Sequence, residues 1–137
     1  MIKSLRTWGP SAVWAAVLFL LSAWADAPEP SWFRGSDKVA HFCLYAVLGA
    51  ALAWAGRRTW DHPPHVLLVL LGSLYGASDE WHQSFVPGRD SSPWDWTADT
   101  VGVLVGYLVF LLLVGRIMRS RRHERDATTT NGARPDG

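Results

Sequence analysis

The chain has 137 residues, with 13 Lys and Arg against 12 Asp and Glu, a formal net charge of +1 and a mean hydropathy of +0.05. That length allows one modest domain. The near-neutral charge excludes the basic face of a nucleic-acid binder, and a lone cysteine, Cys43, excludes a disulfide scaffold or a Cys-based zinc finger. Two figures do not fit a small soluble domain: nine Trp, and 18% charged residues where about 25% is usual.

The averages conceal strong segregation. Residues 8–25 carry no charge, and residues 39–55 are apolar apart from His41 and Tyr45. Residues 66–77 are apolar and run into a polar end at 78–83; residues 101–114 are uncharged, in a helix expected over about 96–118. A span needs roughly 17–25 residues, so the pattern predicts an all-α membrane bundle of four transmembrane helices with short outer loops. The domain is expected over residues 1–118, followed by a basic, then disordered tail over 119–137.

Basic residues in the connecting segments set the orientation. Lys3, Arg6, Arg57, Arg58, Arg116, Arg119, Arg121, Arg122 and Arg125 lie on one side, Arg34, Lys38 and Arg89 on the other. Both termini are therefore expected in the cytoplasm, with the Arg run over 116–125 as a topology anchor touching anionic lipid. The acids Asp26, Glu29, Asp37, Asp79, Glu80, Asp90, Asp95 and Asp99 fall on or near the outer side. Trp8, Trp54 and Trp60 inside, and Trp24, Trp32, Trp81, Trp94 and Trp96 outside, read as the aromatic belt. One alternative concerns the start: Lys3, Arg6, an apolar run and Ala25-Asp26-Ala27 also fit a cleaved signal peptide, which would leave three spans.

Polar residues at span ends carry the functional signal, because each costs free energy in a bilayer. Asp37, His41, Tyr45 and Gly49 are spaced by four on one face of the second helix. Asp37 also suits the helix dipole, and a lone His is commonly a packing residue. On the third helix Gly72, Gly76, Glu80 and Gln83 share a face, with GxxxG spacing. Asp79 and Glu80 sit at a helix C-terminus, where the dipole disfavours negative charge. Ser92-Pro93-Trp94-Asp95 reads as an N-cap, a first-turn Pro and a capping acid. Asp99 lies one turn further in, on a face with Asp95, Gly102 and Gly106. If the third and fourth helices pack through their Gly faces, Glu80 and Asp99 meet at similar depth. The expected product is an outward-open pocket lined by Asp37, His41, Tyr45, Glu80, Gln83, Arg89, Asp95 and Asp99; either Lys38, Arg89 and the His residues neutralise its acids, or their pKa values rise, or a cation binds.

Asp37-Lys38-x-x-His41-Phe42-x-x-Tyr45, Glu80-x-x-Gln83, and Arg89 with Asp95, Asp99 and Gly102 together resemble the VanZ-like membrane proteins over about residues 8–118. The resemblance implies a small helical bundle in the bacterial cytoplasmic membrane and an association with low-level resistance to the glycopeptide teicoplanin. By position, Asp37, His41, Glu80, Gln83, Arg89 and Asp95 match its pattern. Asp99 stands where that pattern has Asn, which adds a negative charge to the pocket.

Three functions remain open on these residues. The first is an accessory envelope factor that binds a glycopeptide or a lipid-linked cell-wall precursor through Asp37, His41, Tyr45, Gln83 and Asp95, with outer Trp residues available for stacking. The second is a membrane-embedded enzyme acting on a lipid-linked or envelope substrate. There Glu80 and Asp99 would be the acid–base pair and Arg89 would stabilise developing negative charge. A metal version would draw on His41 and His82 with the two acids, although no HExxH-type signature is present, so no metal site is assigned and the cofactor stays open. The third is structural, with the polar groups as interhelical glue and Arg89 paired to an acid. The bilayer is the expected partner and nucleic acid is not.

Overall fold

The computed structural model describes residues 2–25, 35–89 and 91–132. Among them are four helices and no strands: α1 (Ile2–Ser22), α2 (Ser36–Thr59), α3 (His65–Gln83) and α4 (Pro93–Gly132). Asp26, Glu29, Trp32, Arg34 and Asp90, and most of the signal-peptide cleavage motif, lie outside the described residues.

Several helix boundaries have a reason readable in the sequence. The α2 helix opens after Gly35, which takes φ 95, a left-handed conformation that glycine adopts without steric cost. Asp61-His62-Pro63-Pro64 separates α2 from α3, since consecutive prolines cannot continue a helix. At α4, Ser92 Oγ accepts the Trp94 N–H at 3.2 Å, which is the expected N-cap. The α4 helix runs past residue 118, where the sequence reading ends it, because residues 116–131 contain neither Gly nor Pro. Of the tail expected to be disordered, residues 133–137 lie outside the described residues.

The closest helix pair is α2 with α4, which run in the same direction. A side chain on Gly102 would strike the Phe42 backbone, one on Gly106 the Ala46 backbone, and one on Gly49 the Val103 backbone. Small residues allow this approach, as in membrane helix pairs. This corrects the expected docking: the glycines of α4 face α2, not α3. The glycines of α3 do face α4, but through side chains, with Gly72 against Val103 and Gly76 against Asp99 and Tyr45. The α1 helix is docked by two hydrogen bonds, Trp14 Nε1 to Leu44 O at 2.9 Å and Tyr75 Oη to Ala15 O at 2.6 Å.

The apolar core is small: Leu18, Tyr45, Leu48, Leu52, Leu68, Val103 and Tyr107 lead it. Large apolar side chains instead cover the outside, including Val66, Leu67, Leu70, Leu71 and Leu74 of α3 and Leu104, Leu108, Leu112 and Leu113 of α4. Meanwhile Asp79, Glu80, Gln83, Asp95 and Asp99 are buried. A soluble domain distributes these classes the other way. Two helices, Ser36–Thr59 and the Pro93–Arg121 part of α4, are long and apolar enough to cross a bilayer.

Candidate functional site

The N-termini of α2 and α4 and the C-terminus of α3 meet at one end of the bundle, and their polar residues sort into three groups. The deepest joins one residue from each helix. His41 Nδ1 lies 3.0 Å from Asp99 Oδ1 and 3.8 Å from Glu80 Oε1. One donor atom from each of the three falls within 4.8 Å of the others. Asp99 is 0% exposed and Glu80 7%.

Glu80 faces two ways. Its Oε2 accepts the Ser92 backbone N–H at 2.9 Å, while Oε1 is buried without a hydrogen-bond partner. That N–H is the one a capping acid three residues into α4 would ordinarily take. Asp95 was the expected occupant of that role. It turns instead to Lys38, whose Nζ lies 3.0 Å from Asp95 Oδ1 and 2.7 Å from Asp37 Oδ2. Glu80 therefore completes the α4 cap from a neighbouring helix, and Asp37–Lys38–Asp95 forms the second group at the rim.

The third group lies against α1. Tyr45 Oη donates to Asp79 Oδ2 at 3.0 Å, Gln83 Nε2 reaches the same oxygen at 3.4 Å, and Arg89 donates to Gln83 Oε1 at 3.1 Å. Asp79 Oδ1 and Arg89 Nε are buried without partners. The sequence marks Asp79 as misplaced for a helix C-terminus without placing it in the pocket. Its i, i+4 relation to Gln83 was the signal that could have found it. No ion pair of Arg89 with an acid occurs among the described residues; its guanidinium serves an amide.

The sequence-predicted set is thus present at one end but is not one open pocket. Asp37 and Asp95 stay at the rim. His82, the other candidate metal ligand, stands apart and stacks on Phe19 with ring centroids 4.8 Å apart. The space enclosed by His41, Tyr45, Asp79, Gln83 and Arg89 against α1 is only about 40 Å³. A water needs about 10–15 Å³ measured this way, whereas ligand pockets run to roughly 300–1,000 Å³. A larger groove of about 390 Å³ opens on the other side of Glu80, walled by Ala77, Trp81, Ser92, Pro93 and Trp96. Trp96 is fixed there by its Nε1 donating to Ser73 O at 3.0 Å, so this tryptophan builds a wall of the groove.

A family model described as VanZ/LLP1 matches residues 4–114. Comparisons with curated proteins and with solved structures return no match. The matched region covers all three groups of the site and most of the chain, and its two apolar helices point to a membrane protein. The chain belongs to the VanZ/LLP1 family.

Proposed function

We propose that this member of the VanZ/LLP1 family is a four-span protein of the bacterial cytoplasmic membrane, with both termini inside, that performs acid–base chemistry on a lipid-linked envelope substrate. The observation that carries this reading is the position of Glu80. It stands between the buried His41–Asp99 pair and the wall of the groove between α3 and α4. An acid beside an imidazole–carboxylate pair that also lines a substrate-sized groove is placed for proton transfer. The groove's Trp and Pro walls suit a substrate whose polar head enters beside Glu80 while its apolar part stays in lipid. Arg89 reaches Gln83 rather than the groove, so its role in this reading is to hold the third group in place, not to meet developing charge.

The apolar exterior supports α1 and α3 as further spans, about 31 Å and 28 Å long at 1.5 Å per residue, with α1 retained. A role in teicoplanin-type resistance would then operate through the envelope precursor. The enclosed cavity has room for water, not for an antibiotic, so the accessory-factor reading by sequestration has less support than chemistry on the precursor.

The test is turnover by the purified full chain, in lipid discs, of lipid-linked cell-wall precursors, read as release of the polar head. Glu80→Gln is the informative variant, because its amide oxygen can still accept the Ser92 N–H while proton transfer is lost. Turnover is expected to fall at least ~10²-fold with the melting temperature unchanged. Turnover that survives the substitution in full sinks the acid–base reading.

A further inference from the structure

We propose that His41, Glu80 and Asp99 bind one divalent cation of the zinc or manganese type. This deepens the acid–base reading, resting on it for the substrate but not for the cation. The donors come from three different helices and converge on one point. A metal with bonds of about 2.0–2.2 Å places neighbouring ligand atoms roughly 3.0–3.5 Å apart. The observed 3.0 Å from His41 Nδ1 to Asp99 Oδ1 and 3.8 Å to Glu80 Oε1 lie near that spacing, and all three donor atoms fall within 4.8 Å, so a bound cation would draw them slightly together.

The second observation is what the protein leaves unsatisfied. Glu80 Oε1, the oxygen directed at His41, is buried and has no hydrogen-bond partner; Asp99 Oδ2 is likewise buried and bare. Without metal one Nδ1–H can serve one carboxylate, and here it lies at Asp99; a bound cation would displace that proton and take the Nδ1 lone pair. An unpaired buried carboxylate oxygen is costly, and a cation between the three groups would satisfy Glu80 Oε1. The other Glu80 oxygen is held by the Ser92 N–H, the kind of outer support that orients metal ligands. Gly76 leaves room for Asp99, since a side chain there would press on its carboxylate. One imidazole and two carboxylates suit zinc and manganese and leave coordination positions open, beside the groove that Glu80 borders.

The test uses the full chain purified in detergent, stripped with a chelator and dialysed against Zn²⁺ or Mn²⁺. Elemental analysis is expected to find about one metal per chain, and the melting temperature to rise by roughly 5–10 °C at a hundredfold excess over Kd. Glu80→Gln and His41→Gln should each weaken binding about tenfold or more, while His82→Ala, outside the cluster, keeps full stoichiometry. Co²⁺ absorption of the wild-type chain reads nitrogen–oxygen coordination without any variant. Wild-type protein that retains no stoichiometric metal overturns the proposal, as does an unchanged metal Kd in both ligand variants. Precursor turnover that survives complete stripping overturns a part for the cation in the chemistry and leaves the acid–base reading. Stoichiometric binding without any turnover upholds the cation and removes that reading.

Discussion

His41 Nδ1 and Asp99 Oδ1 lie 3.0 Å apart across two helices that run side by side in the same direction. Asp99 is fully buried, so this bond exists only because α2 and α4 approach closely enough for glycine to be required between them. The pair converts a packing solution into a polar site.

Replacing Asp99 with Asn keeps an oxygen that can accept the His41 N–H but removes the charge beside it. Turnover is expected to fall about 10–100-fold, with the melting temperature within a few degrees of wild type. Asp99→Ala, which leaves the imidazole without its partner, should also lower stability by about 1–3 kcal/mol. Unchanged turnover in Asp99→Asn would show that the charge has no role.

Gly106→Ala tests the α2–α4 contact. The added methyl would enter the Ala46 backbone, and overpacking of this kind costs about 1–3 kcal/mol. Gly115→Ala is the control, because nothing lies within 4 Å of a side chain there; it should be neutral or slightly stabilising through helix propensity. Detergent-based thermal unfolding of the two variants compares them, and equal melting temperatures would contradict the docking described above.

Tyr45→Phe removes the shorter of the two hydrogen bonds to Asp79, whose other oxygen is already bare. The expected loss is about 1–3 kcal/mol, measured by unfolding. The Tyr45→Phe, Asp79→Asn double variant should lose less than the sum of the singles, since the two groups act as one unit. Strict additivity would mean that they do not interact.

Topology can be read with thiols. In a Cys43→Ser background, Ser84→Cys at the site end is expected to react with a membrane-impermeant reagent on intact cells. Thr59→Cys at the opposite end should react only after lysis. The reverse pattern would invert the orientation argued from the Lys and Arg distribution.

Much of the architecture was legible because it depends on local sequence. Apolar runs interrupted by Gly, Pro and charged segments mark four helices, and Ser92-Pro93 marks where the fourth begins. Glu80 and Asp99 drew notice for a physical reason readable in one dimension: each places a charge where neither the dipole nor the bilayer favours it. Their convergence was harder to derive, because helical periodicity shows which residues share a face but not which face meets which helix. The α4 glycines were matched to α3 by similarity of spacing, while steric fit pairs them with Phe42 and Ala46 of α2.

The balanced charge is set by sequence alone, as is the segregation of basic and acidic residues along the chain, since both follow from residue order. The sequence likewise determines helix number and the crowding of acids near one end. Only the tertiary structure decides how those acids are divided. Asp95 goes to Lys38, Asp79 to Tyr45, and Glu80 and Asp99 to His41. Hydrogen bonds reach about 3 Å, so partner choice rests on helix rotation and depth. Those are settled by backbone contacts between residues far apart in the chain.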